Sequence, residues 1–305
     1  MKAVVGVGFV MAFNILQAVS AVFLASFLHR ADTLVVLFFV FTVIAATFIT
    51  VGVIRGGKIR VPQSAWPALA LLNITTAASW SSFFLAVKYI EPAISSVFIN
   101  AILPLATLGT EYLITGPRTA KKSDLFTSCA LCVAMFLTAT ALFGGQSGRP
   151  ASETGSYLIG FVMSAICGVA MSVTNVASKK LNNEGVRADQ IMAHRFTLLI
   201  LIAFLFMDKG RLVDQVAAQW GALLFVAIIG NLVPIYCLQL GIQKLKPITI
   251  AFLIGLAPMI FFAVQGFSNV VSFSYISLAC VTLTTVILLM GTYLSIETTP
   301  ASVRS

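Results

Sequence analysis

Residues 8–26 read GFVMAFNILQAVSAVFLAS and residues 160–178 read GFVMSAICGVAMSVTNVAS. Beyond the shared GFVM, Ala18 meets Ala170, Ser20 meets Ser172, Ala25 meets Ala177 and Ser26 meets Ser178, so eight of nineteen positions agree at a shift of 152. Apolar helices resemble one another, so the match needs support elsewhere. It comes at a shift of 155, where LAVKYIEP (85–92) falls on LGIQKLKP (240–247). Pro104 then follows Pro92 by twelve residues and Pro258 follows Pro247 by eleven; seven residues further lie Glu111 and Gln265. The order helix, tight turn, Pro, mid-helix Pro, polar residue therefore occurs twice. The chain reads as two halves, 1–148 and 149–305.

Composition says where those halves reside. Hydrophobic residues make up 59% of the 305, charged residues 10%, and the mean hydropathy is +1.01. A soluble domain carries about 25% charged residues, so this chain lacks the polar surface for water. Each bilayer crossing takes about 20 apolar residues. Ten apolar segments can be marked, near 3–28, 33–54, 65–87, 92–114, 123–143, 156–178, 189–207, 217–240, 247–267 and 274–294. RGGKIRVPQ, TGPRTAKKSD, GGQSGRPASETG, KKLNNEGVRAD and MDKGRLVDQ separate several of them with Gly, Pro and charge. Segments of this length must be helices, because lipid offers the backbone no hydrogen bonds. The apolar run after Lys2 is too long for a signal peptide and reads as a retained first span.

The charges behind the net +9 sit singly or in small groups between spans, not clustered on one face, which argues against nucleic acid as a partner. With the N-terminus cytoplasmic, the inner segments hold 13 Lys and Arg and the outer segments five, with Arg195 inside a span. The positive-inside rule therefore places both termini in the cytoplasm. Five spans per half is an odd number, so the second half enters the membrane inverted. Inverted repeats are the architecture of many secondary transporters, in which a midplane site opens alternately to either side.

The hairpin AVKYIEPAISSVFINAILPLATLGTEYL (86–113) and its counterpart GIQKLKPITIAFLIGLAPMIFFAVQG (241–266) resemble the drug/metabolite transporter superfamily, EamA-type ten-helix carriers. The likeness covers nearly the whole chain. Gln265 stands where the pattern closes with Glu. Arg195 fits the family's Arg early in the second helix of a repeat, whereas VVLFFVF (35–41) in the first half has none. The resemblance implies an all-α carrier of small organic metabolites such as amino acids or their derivatives, frequently in the export direction. A nucleotide-sugar or lipid-precursor carrier is the alternative within the superfamily; a membrane enzyme or a channel lies further off. A bacterial inner membrane is the expected location, as a monomer or homodimer.

Polar groups inside lipid are expensive and so are candidates for function. The substrate-binding candidates are Asn14, Gln17, Asn73, Trp80, Asn100, Arg195, Asn231 and Tyr236. Arg195 either snorkels to the cytoplasmic face or holds a substrate carboxylate from the cavity. Each Asn either contacts substrate or bonds helix to helix. The coupling or gating candidates are Glu111, His194, Pro104 and Pro258. Glu111 is the acid well inside a marked span, the prolines should kink their helices, and Gly109 and Gly255 beside them permit close approach or hinge movement. Cys129 and Cys132 form a CxxC without a partner pair or a nearby His, which reads as packing. GxxxxGK[ST], HExxH and GxSxG are absent from the sequence, so no cofactor, metal or catalytic residue is expected.

Overall fold

The computed structural model describes residues 2–54, 60–116, 122–148, 154–268 and 271–297. Arg55, Lys58, Arg118, Lys121, Arg149 and Arg304 of the charge count lie outside them. The described residues are helical throughout, without a strand. The helices are α1 (Lys2–Phe27), α2 (Thr33–Ile54), α3 (Trp66–Tyr89), α4 (Pro92–Thr115), α5 (Lys122–Phe143), α6 (Thr154–Asn183), α7 (Ala188–His194), α8 (Thr197–Phe206), α9 (Lys209–Ala227), α10 (Val233–Lys244), α11 (Pro247–Ile254), α12 (Ala257–Gln265) and α13 (Tyr275–Glu297). Nine helical segments among the described residues are long and apolar enough to cross a membrane, and Tyr275–Gly291 is a shorter apolar one. This is a multi-pass helical membrane protein. Its flanks expose Ile54, Leu113, Phe126 and Phe206, side chains that water would not tolerate together and lipid does.

Helix starts and stops follow local chemistry. Pro92 and Pro247 occupy first turns, where the missing N–H costs nothing. Asp208 caps α9 by accepting from the Gly210 N–H at 3.0 Å. That cap and the Lys209 start extend the eighth crossing beyond the apolar 217–240 seen in sequence, to Lys209–Lys244. Likewise α6 runs past the apolar stretch to Asn183.

Three crossings in the second half are interrupted. The seventh breaks between α7 and α8 at Arg195 and Phe196, and the ninth between α11 and α12 at Gly255 and Leu256. The eighth holds a π-helical turn, Ile228–Leu232. By contrast, α2, α3 and α4 are unbroken. The two mid-helix prolines thus differ. Pro258 sits in the first turn of a new helix, α12, whereas Pro104 lies inside the continuous α4. Proline cannot donate to the residue four before it, so the carbonyls of Asn100 and Ile254 lose their regular helical partner. Gly109 is exposed with open space beside it and mediates no close approach, contrary to expectation; a Cβ on Gly255 would lie 2.7 Å from Leu288.

Packing is closest where small residues recur. On α6, Gly160, Ser164, Gly168 and Ser172 face α4: a Cβ on Gly160 would lie 2.4 Å from Ile90, and one on Gly168 would lie 2.6 Å from the Ile99 carbonyl oxygen. Ser164 and Ser172 exchange hydroxyl hydrogen bonds with Ser95 and Thr110, at 3.1 and 3.2 Å. Small residues every fourth position let helix backbones approach where lipid supplies no hydrophobic drive. Further, α3 lies along α6, α1 along α10 and α12, α2 against α7, α8 and α9, α5 against α13, and α4 against α11 and α12.

Candidate functional site

The helix interruptions converge on an internal cavity. It is lined from the first half by Phe13, Asn14 and Gln17 of α1, Ser79, Trp80 and Phe83 of α3, and Ser96, Ile99 and Asn100 of α4. The second half contributes Cys167, Met171, Thr174 and Asn175 of α6, Arg195, Ile235 and Leu238, and Ile254, Ala257 and Phe261 at the α11–α12 break. The volume within it open to water-sized molecules is ≈ 60 Å³, below the range of about 300–1,000 Å³ typical of small-molecule sites.

Arg195 is the one charged side chain among the lining residues, and it is 3% exposed. It lies at the break of the seventh crossing, about 10 Å in from the start of α7 at 1.5 Å per residue. Its guanidinium stacks on Phe196, 5.2 Å from the ring centroid, and Nη1 donates to Gln239 Oε1 at 3.4 Å. Nε has no partner within the protein. Ion pairs among the described residues join Arg187 to Asp189 and Arg211 to Asp32 and Asp208, and none involves Arg195. Phe41 backs this corner, with ring centroids 4.9 Å from Phe196, 5.2 Å from Trp80 and 6.3 Å from Phe84. A cation is thus held in an apolar frame without a counter-charge. The snorkelling alternative requires contact with solvent, which 3% exposure denies.

The neutral polar side chains around the cavity also retain bonding capacity. Asn14 Nδ2 donates to the Leu253 carbonyl at 2.8 Å, just before the ninth crossing breaks, while its Oδ1 has no protein partner. Asn100 Nδ2 donates to the Ser96 carbonyl and hydroxyl at 2.8 and 3.0 Å, and its Oδ1 is unpartnered. Both amide atoms of Gln17 and of Asn175 are unpartnered and buried. A buried amide left unpaired costs about 1–3 kcal/mol. Four such side chains line one cavity.

The structure gathers five of the sequence candidates here: Asn14, Gln17, Trp80, Asn100 and Arg195. It places three elsewhere. Asn73 bonds helix to helix, donating to Leu69 O at 3.0 Å and accepting from Leu198 N at 3.2 Å. Asn231 sits in the π-helical turn, its Nδ2 donating to Val226 O at 2.7 Å. Tyr236 stacks on Phe48 at 5.1 Å. Glu111 and His194 are half-buried and Pro104 and Pro258 buried, all four outside the cavity lining. Asn175 belongs to the site and was missed; as the only amide in SVTNVAS, the second half of the opening repeat, it was visible.

A second polar cluster went unread. Glu91, in the turn between α3 and α4, is 1% exposed. One carboxylate oxygen accepts from Gln265 Nε2, and the other accepts from the Gly148 N–H at 2.8 Å and the Ser277 hydroxyl at 2.9 Å. Gln265 Oε1 in turn accepts from the Ala93 N–H at 3.2 Å.

No family model matches the sequence, and no curated protein matches it. Among solved structures, a crystal structure of a protein of unstated function superposes with a TM-score of 0.64 at 17% identity, covering 96% of this chain and 96% of that one. The likeness spans the full length and concerns the fold alone.

Proposed function

We propose that this chain is a secondary carrier of small, polar, carboxylate-bearing organic metabolites such as amino acids or their derivatives. In this reading it is built like the EamA-type drug/metabolite transporters from two inverted five-helix repeats and works by alternating access. The observation that carries it is Arg195: a buried cation without an acidic partner, lining a cavity to which both halves contribute. Burying an unpaired charge is costly, and a substrate carboxylate supplies the missing counter-charge through the guanidinium fork. Asn14, Gln17, Asn100 and Asn175 then bind the substrate's remaining polar groups, and Trp80, Phe13 and Phe261 receive its apolar part.

Packing supports the doubled architecture. Exchange each crossing for the one five further along, and the contact of α1 with α10 becomes that of α6 with α3. The contact of α1 with α12 becomes that of α6 with α4. The pairs α2 with α7 and α8, α4 with α11 and α12, and α5 with α13 map onto themselves. The positive-inside bias orients such a carrier with both termini in the cytoplasm; a bacterial membrane and outward transport are what the resemblance to the EamA-type carriers implies. Nucleotide sugars and lipid precursors carry several negative charges and would require more than one cationic lining group. An enzyme would need converging acids, bases or nucleophiles, and the lining residues provide one Cys and no His, Asp or Glu.

The test is counterflow in proteoliposomes with acidic, zwitterionic, neutral and cationic metabolites of similar size. Labelled solute should accumulate against unlabelled solute for carboxylates only. Single-file conductance, or exchange of cations alone, would overturn the reading.

A further inference from the structure

The Glu91 cluster joins elements distant in sequence at one membrane face. Glu91 belongs to the α3–α4 turn. Its partners are Gly148, between α5 and α6, Gln265 at the end of α12 and Ser277 in the first turn of α13. The junction is tight: Ser272 donates to the Gly148 carbonyl from both N and Oγ at 2.7 Å, and a Cβ on Gly148 would lie 2.1 Å from the Ser272 carbonyl oxygen. Gln265 and Ser277 are 3% and 1% exposed. The cluster closes the face opposite the start of α1, pinning the first half's α3–α4 hairpin to the second half's α12 and α13.

All three donors to Glu91 are neutral. At the ends of the surrounding elements nearest Glu91, the titratable groups among the described residues are Lys88 and Tyr89 on its own hairpin, Tyr157 on α6, and Tyr275 and Cys280 on α13. Lys88 turns away, its Nζ donating to Thr33 Oγ1 at 3.4 Å, and no ion pair among the described residues includes Glu91. We propose that Glu91 is a proton-binding gate: protonated, it locks this face of the carrier shut, and deprotonated, it releases to water and lets the face open. The inference rests on the carrier reading above.

The bonding permits both states. A carboxylic acid proton on the oxygen near Ser277 can be donated to the serine hydroxyl, which reverses from donor to acceptor. The Gly148 and Gln265 hydrogen bonds survive that change, so the protonated lock is fully satisfied. The ionised lock carries a desolvated charge with no cation paired to it among the described residues. Burial raises the Glu91 carboxyl above its usual range, against the opposing pull of the Gln265, Gly148 and Ser277 hydrogen bonds. The sign follows: the closed state has the higher pKa and the open, hydrated state the ordinary one. Closure therefore takes up a proton from that face. Closed-state stabilisation is full below the ordinary value and is lost as pH rises through the raised one.

The lock's own amides report it. In nanodiscs, hydrogen exchange at Ala93 and Gly148, corrected for the intrinsic rate, should accelerate with pH by up to tenfold per unit across the window, the limit for one proton. Glu91→Gln cannot ionise; its amide oxygen keeps the Gln265 hydrogen bond and its NH2 can donate to Ser277, at the loss of the Gly148 acceptor, so exchange at Ala93 should no longer depend on pH, while Glu91→Ala should exchange fast at every pH. A flat wild-type profile, or a pH response retained in Glu91→Gln, would overturn the proposal. If Glu91→Gln does not fold, Ser277→Ala decides: losing a donor to the carboxylate must raise the midpoint, and an unmoved midpoint also overturns it. The measurement needs no solute. A lock that titrates in a chain without counterflow would refute the carrier reading alone, and counterflow with an untitrating lock would refute this one alone.

Discussion

Replacing Arg195 with methionine should have effects of opposite sign on binding and on stability. The guanidinium is worth little to the unliganded fold. Its stacking on Phe196 at 5.2 Å contributes about 0.5–2 kcal/mol. Its hydrogen bond to Gln239 is 3.4 Å long, well beyond the optimum near 3 Å. Against these stands the charge itself, 3% exposed and unpaired; exchanging buried charges for apolar groups of similar volume stabilises by about 1–4 kcal/mol in known cases. Unliganded Arg195→Met should therefore melt no lower than the wild type. With a carboxylate in the cavity the balance reverses. At about 4 Å and an effective dielectric of about 20, the attraction is about 4 kcal/mol, and truncating one partner of a buried charge pair costs about 2–5 kcal/mol. At 1.4 kcal/mol per decade, the dissociation constant should rise by about 30-fold or more. Thermal unfolding of purified protein with and without the solute identified by counterflow measures both effects in one titration. A variant that melts well below the wild type yet binds the solute unchanged would refute the reasoning, because Arg195 would then be a structural cation.

Asn14→Leu and Asn175→Leu should each weaken solute binding about tenfold, the cost of one buried polar contact, by the same thermal titration. Asn73→Leu, which breaks the bond to Leu198 N, should cost about 0.6 kcal/mol of stability and leave solute affinity unchanged. The two copies of GFVM should respond oppositely to alanine. Gly8→Ala meets open space and should stabilise by up to about 1 kcal/mol through helix propensity, whereas Gly160→Ala forces Ile90 aside and should lower the melting temperature. Gly148→Ala cannot be accommodated beside Ser272; its Ala93 and Gln265 region should exchange amide hydrogens fast at every pH.

Hydropathy carried the crossings because lipid demands about 20 apolar residues and internal hydrogen bonds from each one. The boundaries that it misplaced, at Lys209 and Asn183, are set by helix capping and extension outside the apolar stretch, where hydropathy is silent. Arg195, Asn14, Gln17 and Asn100 were legible as candidates because a polar group in a crossing is conspicuous. Which of them share a cavity was not, since Asn73 and Asn14 look alike in sequence and differ only in the helix each one faces. The break after Arg195 was hidden for another reason. Residues 196–206 are as apolar as an unbroken crossing and contain no Gly or Pro, so nothing local announces that α7 ends. Glu91 escaped because it sits immediately before Pro92, where a carboxylate reads as the solvated corner of a turn. Its 1% exposure arises from Gly148, Gln265 and Ser277, all at least 57 residues away.

The uneven distribution of irregular backbone bears on how such a molecule moves. The breaks at Arg195–Phe196 and Gly255–Leu256 and the π-helical turn at Ile228–Leu232 all lie in the second half, and residues beside each break line the cavity. Non-helical backbone at membrane depth is tolerated only where it is buried in protein or lines a polar space. Trp80, Ser96 and Asn100 are presented from the continuous helices α3 and α4, whereas Arg195 is presented from a break. A solute held between them touches one rigid wall and one jointed wall. If the two halves exchange conformations, the joint at Arg195 is where solute binding can alter backbone geometry directly. The Glu91 lock fixes the far end of the rigid α3–α4 hairpin to α12, which begins at another of the breaks. Substrate charge and proton would then act on opposite ends of the same mechanical element, through one cation and one carboxyl group that never meet.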